Sequence, residues 1–277
     1  MILQQACNII KLKCKNEEAS MAKLAIVTGL GRGIGYGIAL RMAQAGYDIA
    51  GTYRSSSAGA VELQGKICGM GRECSIYRCD VSKMEDIYAF WEEFNNQHGK
   101  VDVLINNSGV TQTAPFLEMT EEMWDIVNST DWKGTYFMSQ LGAKRMVATG
   151  VHGVIINISS NHMSSCWPGS TAYAGAKAAL SKFGENAAME LAKYGIRVVT
   201  IAPGYTANRA PDEMTPEMLE RQADIFEKIP IHRYGEPSEV GGACVFLAGE
   251  DAGYITGTTL FMDGGALLPN LPGFRGW

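Results

Sequence analysis

Leu24-Ala25-Ile26-Val27-Thr28-Gly29-Leu30-Gly31-Arg32-Gly33-Ile34-Gly35 is the stretch on which the fold turns. Its first four residues form a continuous apolar run, as expected of a parallel strand buried on both faces. Beyond the glycines, Ile34, Ile38, Ala39 and Met42 recur at the spacing of one helix face. Strand, glycine turn and helix start together make a cradle for a phosphate-bearing ligand. Without side chains in the way, backbone N–H groups can close on an anion at the positive end of the helix. A Gly-x-Gly-x-x-Gly pattern fails here, because Ile34 and Tyr36 stand where the third glycine would fall. Gly29, Gly33 and Gly35 satisfy Gly-x-x-x-Gly-x-Gly instead, with Thr28, Gly31, Arg32 and Ile34 completing the cradle. A plain tight turn has the same composition, so the assignment needs support from elsewhere in the chain.

Working outward, apolar strands alternate with helical periods. Further strands are predicted at Asp48–Thr52, Glu73–Arg78, Val101–Ile105, Val154–Ile158, Arg197–Ile201 and Thr258–Met262. Helices are predicted near Ala58–Gly69, Lys83–His98, Glu121–Val147, Thr171–Tyr194 and Ser238–Ala248. Such alternation implies a doubly wound parallel sheet, an α/β fold of the Rossmann-like type, in one domain with helices on both faces. That domain spans 21–265. An irregular segment from Tyr205 to Pro230, containing Pro211 and Pro216, is too long for an idle connection in a compact domain and reads as functional. Residues 1–20 fall outside the alternation and read as a loosely held extension or the result of an upstream start codon. Residues 266–277, rich in Gly, Pro and aromatics and ending on Phe274 and Trp277, read as a tail without helix or strand.

A second motif lies in the C-terminal half. Tyr173-Ala174-Gly175-Ala176-Lys177 puts a phenol and an ammonium at i and i+4 if the run is helical. A fixed ammonium that close favours the phenolate. A phenol in that setting can give a proton to a carbonyl or take one from an alcohol. Ser160 stands thirteen residues before the tyrosine.

Taken together, the two motifs resemble the short-chain dehydrogenase/reductase family, and the resemblance covers nearly the whole chain from Lys23 to Gly265. Thr28-Gly29 with Gly33 and Gly35 matches its glycine turn, Asp80-Val81 its adenine-contacting pair, and Asn106-Asn107-Ser108-Gly109 its NNAG element with Ser for Ala. Ser160, Tyr173 and Lys177 match its catalytic set, Pro203-Gly204 the turn beside the nicotinamide, and Asp263-Gly264-Gly265 its closing element. The resemblance implies hydride transfer between a nicotinamide and a carbonyl or secondary alcohol. Tyr173 would move the proton, Ser160 would hold the carbonyl oxygen, and Lys177 would also grip the nicotinamide ribose. Cofactor contacts would come from the glycine turn, Asp80, Val81, Asn107, Ser108, Gly109, Tyr173, Lys177, Pro203 and Gly204. The segment about 205–230 becomes the substrate lid, and a homotetramer the expected assembly.

One position departs from the family. Aligning Trp124-Asp125 and Lys133-Gly134 puts Asp131 where the family has an asparagine, and makes it a fourth candidate catalytic residue. An ionised Asp accepts hydrogen bonds but cannot donate, and near Lys177 its charge opposes the effect of the ammonium on Tyr173.

Cofactor choice is read near the second strand. An NAD site needs a carboxylate there for the ribose hydroxyls. The chain has Thr52-Tyr53-Arg54-Ser55 instead. Arg54 and Ser55, with Arg32 from the glycine turn, make a site for a 2′-phosphate, so NADP is favoured over NAD. Ser160-Asn161-His162 followed by Trp167-Pro168 looks like the bacterial glucose dehydrogenase branch and makes a sugar or polyol a candidate substrate. Branches acting on 3-oxoacyl carrier-protein thioesters or hydroxysteroids use the same machinery. A dinucleotide-binding regulator without turnover is the rival from another class.

Bulk properties narrow the setting. With 46% hydrophobic residues in 277 the chain can bury a large core. A net charge of −5 without a basic run argues against nucleic acid. Seven cysteines without a CxxC pair suit reduced thiols in a cytoplasmic protein and argue against a metal site. No apolar run has the length of a membrane span.

Overall fold

The computed structural model of the chain describes residues 10–12, 22–207 and 215–268. In chain order the strands are β1 (Ile10–Leu12), β2 (Leu24–Thr28), β3 (Asp48–Tyr53), β4 (Cys74–Arg78), β5 (Val103–Asn106), β6 (Val154–Ile158), β7 (Arg197–Pro203) and β8 (Thr259–Met262). They form one sheet in the order β1-β4-β3-β2-β5-β6-β7-β8. From β2 to β8 every pairing is parallel, with Ala25 opposite Ile49 on one side and Val103 on the other. β1 is the exception, pairing antiparallel with β4 so that Ile10 faces Ile76. The sequence reading has no strand there. The rest of the predicted extension, and Phe274 and Trp277 of the predicted tail, lie outside the described residues.

Helices α1 (Gly33–Gln44), α2 (Ser57–Gly69) and α8 (Pro237–Ala248) cover one face of the sheet. α3 (Met84–Gln97), α5 (Thr135–Thr149) and α6 (Thr171–Leu191) cover the other face, α4 (Glu121–Val127) lies ahead of α5, and α7 (Pro216–Phe226) lies in the connection after β7. The alternation of β2 shows how one strand feeds two cores. Ala25 and Val27 join Ile38, Met42 and Ile49 on one face, while Leu24 and Ile26 join Trp91, Phe94 and Leu104 on the other. This double burial is what the unbroken apolar run encodes.

Two predicted elements need correction. The single helix expected over Glu121–Val147 is broken into α4, a π-helical turn at Asn128–Gly134, and α5. Asn128 Nδ2 donates to the Trp124 carbonyl at 2.9 Å and Ser129 Oγ to that of Asp125 at 2.5 Å. Side-chain donors thus share the last carbonyls of α4 with the Asn128 backbone N–H where the ladder changes. The segment Tyr205–Pro230 is not wholly irregular, since it holds α7. Thr215 caps that helix by accepting from the Met218 N–H, and Pro216 occupies its first turn. Pro211 lies outside the described residues.

Candidate active site

All the predicted site residues sit at the carboxyl ends of parallel strands or on the segments that follow. The chain reverses its direction of winding between β2·β3 and β2·β5, and the crevice at that switch point is where open α/β sheets take ligands. On one side of it is the glycine turn. Gly29 and Gly33 have φ of +72° and +56°, a region that disfavours other residues. At Gly35 a Cβ would lie 2.3 Å from the Gly29 carbonyl oxygen, so the turn folds back on its own helix. The α1 N-terminus has no side-chain cap and no acidic residue in its first turn, leaving its N–H groups for a ligand anion. Open space lies in front of Gly33.

Across the crevice, the Asn107-Ser108-Gly109 loop is bolted to that turn. Thr28 Oγ1 accepts from the Asn107 and Ser108 N–H groups at 2.9 Å each, and Asn107 Nδ2 donates to the Thr28 carbonyl at 2.9 Å. Asp80, beyond β4, turns its Oδ1 onto the Ser82 N–H and hydroxyl. The neighbouring Val81 is buried, and its carbonyl would lie 2.3 Å from a Cβ on Gly134. Arg54 and Ser55 follow β3 and are exposed, as is Arg32. The glycine turn leans on the start of α2, since a Cβ on Gly31 would stand 2.6 Å from the Ser56 carbonyl oxygen. Pro203 ends β7, and Gly204 donates its N–H to the Met262 carbonyl. This set fits a dinucleotide: glycines where side chains would block it, uncapped N–H groups and an exposed pair of cations.

Ser160, Tyr173 and Lys177 converge beside it. Ser160 follows β6, while Tyr173 and Lys177 lie one helical turn apart on α6. The buried face of that helix carries Ala172, Ala176, Gly184 and Ala188, whose small size lets it settle against β7. Lys177 is 3% exposed, and its Nζ lies 5.5 Å from the Tyr173 ring centroid. It donates to the Ile158 carbonyl at 3.2 Å and lies 3.1 Å from Asp131 Oδ2. Burial works against the ammonium, but the charges of Asp131 and Tyr173 outweigh it and hold the Lys177 pKa above its ordinary range. Asp131, in the π turn, is 0% exposed and accepts from the Val110 N–H at 2.8 Å through Oδ1. Asn128, one turn away, is not part of this cluster.

Three members of the cluster were not assigned from sequence. Two are backbone groups, the Ile158 carbonyl and the Val110 N–H, which no residue identity announces. The third is His162, whose side chain could be read either as a substrate contact or as structural. Its Nδ1 lies 3.1 Å from Ser160 Oγ, and its ring stacks on Trp167 at 4.0 Å and meets Tyr173 edge-on at 5.2 Å. Burial lowers its pKa, so at neutral pH the imidazole is uncharged.

An open α/β sheet with a glycine-rich dinucleotide cradle and a Ser, Tyr and Lys group at its switch point defines a nicotinamide-dependent oxidoreductase. The family described as enoyl-(acyl carrier protein) reductase matches residues 29–266. An uncharacterized oxidoreductase of Escherichia coli, YohF, is 34% identical over 250 residues, 90% of this chain and 98% of its own length. The 3-oxoacyl-[acyl-carrier-protein] reductase FabG of Staphylococcus aureus is also 34% identical, over 90% of this chain and 99% of its own. The crystal structure of acetoin dehydrogenase YohF from Salmonella typhimurium superposes with a TM-score of 0.84 at 35% identity, covering 92% of this chain and 99% of that one. The chain belongs to the short-chain dehydrogenase/reductase family, and is a dehydrogenase acting on CH–OH donors.

Proposed function

We propose that this enzyme is NADP-dependent and interconverts a carbonyl and a secondary alcohol on a small hydroxylated substrate, with sugars, polyols and hydroxyketones as the class. The observation that carries the reading is the convergence of Ser160, Tyr173 and Lys177 beside an uncapped helix N-terminus. When bound, the nicotinamide supplies or takes up the hydride. Tyr173 donates the proton to the carbonyl oxygen, or removes it from the alcohol. Ser160 Oγ hydrogen-bonds the same oxygen and stabilises the charge that develops on it. Lys177 has three N–H donors, of which one goes to the Ile158 carbonyl, with Asp131 beside the ammonium as its ion-pair partner. The remaining donor capacity serves the Tyr173 hydroxyl or a ribose hydroxyl.

Support for NADP comes from the cationic pair Arg32 and Arg54 with Ser55, where a carboxylate would be needed for NAD. Support for a hydroxylated substrate comes from His162, a polar group held next to Ser160. Among the relatives, an Escherichia coli protein 35% identical over 245 residues is a 2-dehydro-3-deoxy-D-gluconate 5-dehydrogenase, and another is named for acetoin. A reductase of 3-oxoacyl carrier-protein thioesters is the second reading, favoured by the FabG likeness. A homotetramer in the cytoplasm is the assembly and setting that go with either. Among the described residues no helix is long and apolar enough to cross a membrane. The test is a turnover screen over polyols, hydroxyketones, 3-oxoacyl thioesters and hydroxysteroids, each with NADPH/NADP⁺ and NADH/NAD⁺. Higher kcat/KM on a thioester than on any hydroxylated small molecule would replace the first reading by the second.

A further inference from the structure

We propose that Asp131 is a positioning residue that acts through Lys177 as its buried counter-ion, and so sets the pH at which Tyr173 exchanges its proton. The inference rests on the proton-transfer role given to Tyr173 above. The geometry that carries it joins three segments. Asp131 Oδ1 holds the Val110 N–H of the loop after β5, and Oδ2 lies 3.1 Å from Lys177 Nζ on α6. Gly109 closes over the pair, so tightly that a Cβ there would stand 3.0 Å from Asp131 Oδ2 and 3.4 Å from Lys177 Nζ. Neither charged group is open to solvent, the two side chains being 0% and 4% exposed.

A buried ion pair is nearly neutral from a distance. The ammonium on its own would favour the Tyr173 phenolate strongly, and a carboxylate 3.1 Å behind it cancels much of that field. Other charges leave this account unchanged. His162 faces Tyr173 but is uncharged at neutral pH because it is buried. Glu121, Glu122 and Asp125 of α4, Lys133 of the π turn and Lys144 of α5 are exposed to solvent. Arg145 of α5 is engaged by the His98 and Gly99 carbonyls, and Arg197 of β7 by those of Leu247 and Ile255. β6 carries no ionisable side chain. Asp131 is therefore the anion that Lys177 answers to.

The experiment titrates the cofactor-free protein by its ultraviolet phenolate absorbance, with Tyr173→Phe in each background to isolate the Tyr173 signal. The pH–rate profile of alcohol oxidation is measured alongside. Asp131→Asn keeps the shape and the acceptor for the Val110 N–H while removing the charge. We expect it to move the phenolate midpoint and the alkaline-active limb towards neutrality by about one pH unit. Asp131→Ser gives up the Val110 bond as well and should show the same shift. An unmoved midpoint in the Asn variant, a shift upward, or a shift seen only in the Ser variant would overturn the proposal. The last would show that the loop contact, not the charge, matters. A shifted midpoint in a protein that turns over no alcohol or carbonyl upholds the counter-ion and overturns only the function proposed above.

Discussion

Thr28 and Asn107, 79 residues apart, are joined twice: the Thr28 hydroxyl accepts from the Asn107 N–H, and the Asn107 amide donates to the Thr28 carbonyl, each at 2.9 Å. With the Ser108 N–H on the same hydroxyl, this clasp fixes the glycine turn against the loop that faces it. Thr28→Val keeps the shape and leaves two N–H donors without an acceptor, costing about 1–3 kcal/mol. We expect a melting temperature lower by a few degrees and weaker dinucleotide binding, with Thr28→Ser close to wild type. Equal melting of the Val and Ser variants would show that the hydroxyl is not the acceptor that matters.

Tyr173→Phe tests the proton-transfer role proposed for Tyr173, since it deletes the hydroxyl and little volume. Turnover should fall by about 10²–10⁴-fold while cofactor affinity stays near wild type. Retention of more than roughly a tenth of kcat in steady-state turnover would remove Tyr173 from the mechanism.

Arg54→Ala tests the cofactor reading. Only NADPH carries the 2′-phosphate, so its dissociation constant should rise more than about tenfold while that of NADH changes little. Fluorescence titration of each reduced cofactor measures both. Equal losses, or a wild-type preference for NADH, would falsify the assignment.

Much of this site was legible because its chemistry needs particular residues at particular spacings. The apolar run before Thr28 reads as a doubly buried strand, and the i, i+4 interval of Tyr173 and Lys177 fixed their common face once α6 was a helix. Boundaries were less clear, and the helix through Asp131 was read as continuous. In its π turn the Asn128 and Ser129 side chains add bonds to the Trp124 and Asp125 carbonyls, a feature that helix periodicity does not register. Asp131 sits in that turn and meets Lys177 from it, a partnership that only alignment with a family pattern suggested. α7 was missed because prolines were read as breaking the segment. Pro216 in a first helical turn starts one instead.

His162 offers the last test. Its backbone N–H donates to Ser160 Oγ at 3.3 Å while its Nδ1 lies 3.1 Å from the same oxygen. Because burial keeps the imidazole neutral, one nitrogen carries a proton and the other does not. With the proton on Nδ1, the ring donates to Ser160 Oγ and the serine hydroxyl is released to donate to a substrate oxygen. With it on Nε2, the serine hydroxyl is spent on the ring and Nε2–H becomes the outward donor. Either tautomer leaves one donor of the Ser160–His162 pair unspent. His162→Phe keeps a ring against Trp167 and Tyr173 but removes the hydrogen bond. We expect kcat/KM to fall about tenfold, the worth of one such bond, with cofactor affinity unchanged. A histidine that reads a substrate hydroxyl should show a larger loss on polyols and hydroxyketones than on simple ketones of the same size. A purely structural histidine would lower both equally, together with the melting temperature, and that result would take His162 out of substrate recognition.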